Sequence, residues 1–223
     1  MGLVKVFFWG LIVSFLGSLP LGTMNVAAMQ ISVQENIQNA IYFSLGSLCI
    51  EMIYVRISLI GINWIRKQKK LFRWMEWITL AIVLALALGS FIAAMQPHQA
   101  KNIMLNNNIN RFLLGLMLGA ISPMQIPFWF GWSTVLFAKN ILLPKNSYYN
   151  LYIIGIGLGT LLGNGVFIFG GKYIVRKLNA NQNVLNWVIG GIFALTAIIL
   201  LIKILLHKDA AKKLEAIPES IVD

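Results

Sequence analysis

Six stretches of this chain are apolar over about 20 residues or more, the length a helix needs to cross about 30 Å of hydrocarbon. They run at about 4–30, 39–63, 75–95, 112–137, 149–171 and 185–206. In lipid every backbone N–H and C=O must be satisfied within the segment, so each stretch is predicted to be a membrane-spanning α-helix. The spans consume most of the 223 residues, and nothing outside them is long enough to build a second core. The chain is therefore expected to be one transmembrane domain over 1–223, ending in a short tail at 207–223.

Charge follows the same division. Only 11% of the residues are charged, against about a quarter in soluble domains. Most charges lie in short connections such as Arg66-Lys67-Gln68-Lys69-Lys70. The net charge of +11 is expected from the excess of Lys and Arg that fixes orientation, and nucleic acid is not an expected partner. An inside N-terminus puts Lys5, the Arg66 to Arg73 cluster, Lys139, Lys145, Lys203, Lys208, Lys212 and Lys213 on the cytoplasmic side. The other side then holds only Lys101, Arg111, Lys172, Arg176 and Lys177, so both termini are expected in the cytoplasm. The start resembles a signal peptide, but no small-x-small cleavage site follows and apolar residues continue to Met29, which makes it span one. Cys49, the single cysteine, falls inside span two, excludes an internal disulfide and is expected to serve packing.

Two pairs of spans look alike. Gly17-Ser18-Leu19-Pro20-Leu21-Gly22-Thr23-Met24-Asn25 interrupts span one, and Gly119-Ala120-Ile121-Ser122-Pro123-Met124-Gln125-Ile126-Pro127 interrupts span four. Span two then carries Leu45-Gly46-Ser47-Leu48 with Glu51 five residues after the glycine. Span five carries Leu158-Gly159-Thr160-Leu161 with Asn164 at the same distance. A repeat of three spans is odd in number, so the second copy enters from the opposite side. The fold expected is all-α, with six transmembrane helices as two inverted three-helix repeats, about 4–95 and 112–206, and broken helices one and four.

The breaks are where chemistry is expected. Proline removes a donor and clashes with the preceding turn, so Pro20, Pro123 and Pro127 expose backbone groups at membrane depth. Those groups can be met by substrate or ion, or by neighbouring Ser and Thr hydroxyls. Glu51 reads as the only acid inside a span, near its middle. A carboxylate there is costly to ionise, which makes it a candidate proton carrier or counter-charge for an amine, or else a cross-link between helices. Arg56 is about 140° around the helix from Glu51, so it is expected to snorkel toward headgroups instead. Asn25, Gln30, Gln125 and Asn164 offer neutral amides that either bind a polar solute or join helices. Gly155, Gly159 and Gly163 have the spacing of a close-packing face, and the Phe128-Trp129-Phe130 run is expected to anchor the core or interface.

His98 and His207 lie at span ends and no span contains aspartate, so a metal pathway is poorly supported. Neither a nucleotide-binding loop nor a nucleophile–base set is visible, so no enzyme activity and no cofactor are expected.

The pattern Pro20-Leu21-Gly22-Thr23-Met24-Asn25 resembles the span-one break, Pro-x-Gly-Pro-Asn-Asn, of the LysE/RhtB family of amino-acid exporters. Ser122-Pro123-Met124 followed by Gln125 to Phe130 is similar to that family's second break, Asn-Pro-Lys followed by aromatic and apolar residues, with the proline retained. Glu51 stands where the family more often has aspartate. The resemblance implies a secondary exporter of amino acids or similar small zwitterions across the inner membrane, driven by a proton gradient. It implies a small-molecule substrate, contact with membrane lipids, and room for a homodimer. Pro20, Gly22 and Asn25 are then expected to shape one half of the substrate site and Ser122, Pro123 and Gln125 the other. Glu51 couples the proton or meets the amine, with Asn164 as its repeat counterpart. Thr23 and Met124 depart from the family pattern and bear on which solute is carried. The rival readings are export of a metal ion or lipid-linked anion, and a membrane scaffold that transports nothing.

Overall fold

A computed structural model describes residues 2–18, 23–60, 69–95, 109–122, 125–177 and 182–206. The described residues form helices and turns and no strand. In chain order the helices are α1 (Gly2–Ser18), α2 (Thr23–Gln34), α3 (Ile37–Ile60), α4 (Lys69–Met95), α5 (Arg111–Ala120), α6 (Gln125–Ala138), α7 (Asn146–Lys177) and α8 (Gln182–Leu205).

Helices α3, α4, α7 and α8 are each long and apolar enough to cross a membrane. The pairs α1/α2 and α5/α6 reach that length together, bent by 72° and 70° at breaks of four residues or fewer. The expected spans one and four are therefore interrupted, by angles well beyond an ordinary proline kink. Pro20, Gly22 and Pro123 lie outside the described residues, as do Arg66 and Lys67 of the basic cluster, Lys101 and the 207–223 tail. Pro127 sits in the first turn of α6, where a missing N–H costs nothing.

Local sequence sets the helix ends. The Asn110 side chain accepts the Phe112 N–H at 2.9 Å and starts α5, and Asn36 accepts the Asn39 N–H at 2.7 Å at the start of α3. Asn140, at φ 54°, turns the chain after α6, and the Ile141 N–H returns to the Leu136 carbonyl at 3.0 Å. Asparagine tolerates that left-handed backbone better than most residues.

Hydrophobic burial drives little association between helices already in lipid, so packing depends on close backbone approach. Two crossings achieve it. A Cβ on Gly46 of α3 would overlap the Phe112 carbonyl oxygen of α5, and one on Gly115 of α5 would overlap the Phe43 carbonyl oxygen of α3. At the other crossing, Gly155 and Gly159 of α7 lie in the same way on the Phe7 and Leu11 carbonyls of α1. The close-packing role expected of Gly155, Gly159 and Gly163 is thus met by α1. Helices α4 and α8 pack on each other and, with α2, hold one apolar core that includes Val83, Ile189 and Phe193. A second core joins α1, α3, α6 and α7 around Trp129, Tyr152 and Ile156.

Three expectations are corrected. Cys49 is exposed on the outer surface of α3, because the packing faces of that helix are taken by glycine and the small residues beside it. Glu51 is not the only acid in a span: Glu76, the second residue of the expected span 75–95, lies in α4 and is buried at 1% exposure. Arg56 does not reach toward headgroups alone. It donates to Asn150 Oδ1 at 3.1 Å and Asn146 Oδ1 at 3.0 Å, and lies 5.5 Å above the Tyr149 ring.

Gly46→Ala and Gly159→Ala are each expected to lower stability by about 1–3 kcal/mol, since a methyl group is forced onto a carbonyl that cannot move away. Gly131→Ala, where nothing lies within 4 Å, is expected to be neutral or slightly stabilising. Thermal unfolding of the purified protein in detergent separates the two outcomes.

Candidate functional site

Helix ends at the two breaks, together with the middles of α3 and α7, enclose a cavity of about 380 Å³. That is within the range of small-molecule sites. Ser14, Gly17 and Ser18 come from the end of α1, and Thr23, Met24 and Asn25 from the start of α2. Helix α3 contributes Ser47 and Glu51, and α7 contributes Thr160 and Asn164. Ser122, Gln125, Pro127, Phe128 and Trp129 complete it from the second break. Helices α4 and α8 supply no lining residue among those described.

Five predicted site residues therefore meet at one place, namely Asn25, Glu51, Ser122, Gln125 and Asn164. The predicted Pro20, Gly22 and Pro123 lie in the undescribed segments of the breaks. Gln30 does not join them. Its amide donates to Ser90 Oγ of α4 at 3.2 Å, so it serves helix pairing.

Glu51 is the only ionisable residue among the described lining groups. Its side chain is half-buried, enclosed by protein but open to the cavity. The Thr160 hydroxyl and the Trp129 ring N–H face its carboxyl, and Thr160 Oγ1 is also 2.6 Å from Ser14 Oγ of α1. A polar chain thus runs from α1 through α7 to α3. Asn164, 4% exposed, lines the cavity. The buried Gln125 Oε1 has no hydrogen-bond partner among the described residues. Buried polar atoms left in this state are rare unless a solute or water meets them.

The carbonyls released at the breaks are mostly satisfied by the protein. The Ser18 carbonyl accepts from the Asn25 amide, and the Phe15 carbonyl accepts the Ser18 hydroxyl at 2.8 Å. The Ala120 carbonyl accepts the Tyr54 hydroxyl at 2.5 Å, and the Ile121 carbonyl accepts the Thr79 hydroxyl at 2.8 Å. Repair by hydroxyl groups and a true break therefore coexist. The first residues of α2 and α6, Thr23 and Gln125, meanwhile line the cavity. The cavity is thus lined both by the ends of the first half-helices, at Gly17, Ser18 and Ser122, and by the starts of the second.

A family model for the LysE type translocator matches residues 15–204, which contain every lining residue except Ser14. The chain belongs to the LysE type translocator family. Comparison with curated proteins and with solved structures finds no match. As a LysE type translocator it is a multi-pass membrane transport protein, and the apolar helices agree with that.

Several lining residues of this translocator were passed over in the sequence. Trp129 was expected only to anchor the core or interface, yet its indole N–H faces Glu51. Ser47 and Thr160 were visible as the hydroxyls of the Leu-Gly-hydroxyl-Leu repeat. Each precedes the polar residue by four positions, one helical turn, so hydroxyl and Glu51 or Asn164 share a face. That spacing is the signal that could have placed them.

Tyr54→Phe removes the donor to the Ala120 carbonyl while keeping the ring. It is expected to cost about 1–3 kcal/mol, the penalty of a buried acceptor left unmade, and to lower the unfolding temperature in detergent.

Proposed function

We propose that this translocator is a secondary exporter of amino acids or similar small zwitterions across the inner membrane, coupled to a proton gradient. The observation that carries the reading is a lone carboxyl among the described lining residues, Glu51, in a cavity between two broken helices that also presents hydroxyl and amide groups. Asn25, Ser122, Gln125 and Asn164 are the neutral contacts of the solute, and Pro20, Gly22 and Pro123 shape the two breaks. The zwitterion's ammonium turns toward Glu51 and its carboxylate toward the half-helix N-termini at Thr23 and Gln125.

Alternating access is by rocking of two inverted three-helix repeats within a single domain over 1–223. Several pairings support this division. Helix α1 packs on α7 as α5 packs on α3, and α4 packs on α8. Gly46 and Gly159 hold corresponding crossings, while Ser47 with Glu51 and Thr160 with Asn164 face the cavity from corresponding turns. The distribution of Lys and Arg between alternate connections supports an inside position for both termini.

The test is flux of labelled amino acids in proteoliposomes carrying a pH gradient. Wild type is expected to move at least one neutral amino acid when the gradient is imposed. Folded Glu51→Gln is expected to lose gradient-driven flux by about tenfold or more, since the proton site itself is removed. Equal flux from Glu51→Gln, or none from wild type across the panel, overturns the reading.

A further inference from the structure

We infer that proton and substrate amine occupy the same Glu51 carboxyl by turns, so that each expels the other, and that the cavity therefore accepts amine-bearing solutes and refuses acidic ones. This rests on the exporter reading and goes beyond it by fixing the coupling step and the substrate class.

The argument is one of charge in a confined space. Ser14 and Ser18 from α1, Thr23 and Asn25 from α2, and Gln125 and Trp129 from α6 are all neutral. So are Thr160 and Asn164 of α7. The undescribed residues at the breaks, Leu19 to Gly22 and Pro123-Met124, carry no ionisable group either. Titratable groups on the elements packed around α3 turn elsewhere. Arg111 of α5 is tied to Glu35, with its Nη2 2.6 Å from Oε1 and its Nε 3.0 Å from Oε2. Tyr152 of α7 sits in the apolar core beside Trp129, and Tyr149 lies under Arg56. On α3 itself, Arg56 bonds to Asn146 and Asn150, the Tyr54 hydroxyl bonds to Ala120, and Cys49 faces outward. Helix α2 has no titratable residue, and neither does α6.

A single carboxyl with no cation beside it among the described residues has two ways to avoid standing as an uncompensated buried charge. It can hold a proton, or it can pair with a cation brought from outside. The step balances simply. An ammonium group enters, the carboxyl proton leaves to water, and a carboxylate–ammonium pair remains. In reverse, a proton from water neutralises the carboxylate and frees the ammonium. The carboxyl cannot do both at once, because once protonated it carries no charge to hold the ammonium. A neutral or basic amino acid satisfies this site. A second carboxylate on the solute meets no cation, so glutamate is excluded. The Asn164 amide and the Gln125 oxygen, both at the cavity, supply neutral contacts that do not alter this balance.

The experiment is titration of the purified full-length protein in detergent with L-alanine, L-lysine, L-glutamate and propionate, the last being alanine without its amine. Proton release is read with an indicator dye and affinity by calorimetry over a range of pH. Below the carboxyl's titration point, alanine or lysine is expected to release about one proton per molecule bound, and affinity to rise about tenfold per pH unit. Glutamate and propionate are expected not to bind. Glu51→Asp should keep proton release, and Glu51→Gln should abolish it together with the pH slope. Thr160→Val, which removes a hydroxyl facing the carboxyl, should move the pH midpoint while leaving the stoichiometry intact, so the claim stays open to test if Glu51→Gln does not fold. Binding without proton release at any pH, or wild-type-like affinity in Glu51→Gln, overturns the shared carboxyl. Glutamate binding as tightly as alanine overturns the charge selection. Either result alongside gradient-driven flux leaves the exporter reading standing. Absence of both flux and binding removes that reading and this inference together.

Discussion

An interrupted helix in hydrocarbon leaves backbone carbonyls and amides without their partners, at several kcal/mol for each group left unmet. The rest of the molecule is arranged around the two places where this happens. Tyr54 and Thr79 reach from α3 and α4 to the Ala120 and Ile121 carbonyls, and Asn25 folds back to the Ser18 carbonyl. These donors hold the ends of α1 and α5 open at fixed positions. The starts of α2 and α6, at Thr23 and Gln125, line the cavity beside these braced ends, and a helix start carries the positive end of the backbone dipole.

Close backbone approach makes the arrangement compact enough to act. The glycines that bring α5 onto α3 and α1 onto α7 set the distance at which side chains from four helices can line one cavity. Substituting bulk at those crossings moves Ser47, Glu51, Thr160 and Asn164 together, because each follows its glycine within five residues. Outside the cavity the first break is braced more heavily by polar contacts. Helix α2 is tied to α4 by Gln30 with Ser90, to α8 by Gln34 with Asn186, and to α7 by Ser32 with the Ile168 carbonyl. Glu35, just beyond α2, closes the same side by its two-point pairing with Arg111, both side chains being little exposed. A bidentate pair is geometrically demanding, so it favours one relative position of α2 and α5.

Much of this was legible in the sequence, for physical reasons. Apolar length and segregated charge have few solutions in lipid, so the spans, the two breaks and the positions of Asn25, Glu51 and Asn164 could be read directly. What could not be read is what depends on rotation about a helix axis. Trp129 sits among aromatic neighbours that differ little in composition, and only packing decides that it turns its N–H to Glu51 while Phe130 enters the interior. Glu76 falls at the second residue of the expected span 75–95, and its burial there depends on the rotation of α4, which composition does not give. Arg56 was assigned by its distance from Glu51 along α3, but Asn146 and Asn150 come from a helix some ninety residues away, and no local pattern points to them.

The two Leu-Gly-hydroxyl-Leu segments differ where it matters. Glu51 and Asn164 each stand five residues after the glycine of such a segment and both line the cavity, but only Glu51 can carry charge. Two carboxylates across a cavity of about 380 Å³ would repel or force one to stay protonated, and the pair would titrate as a unit. An amide at Asn164 keeps the hydrogen-bonding capacity of that position and removes the second charge. One carboxyl then sets the charge state of the whole cavity. Two similar sequence segments thereby meet at one cavity with a chemical asymmetry, α3 supplying the charge and α7 a neutral amide.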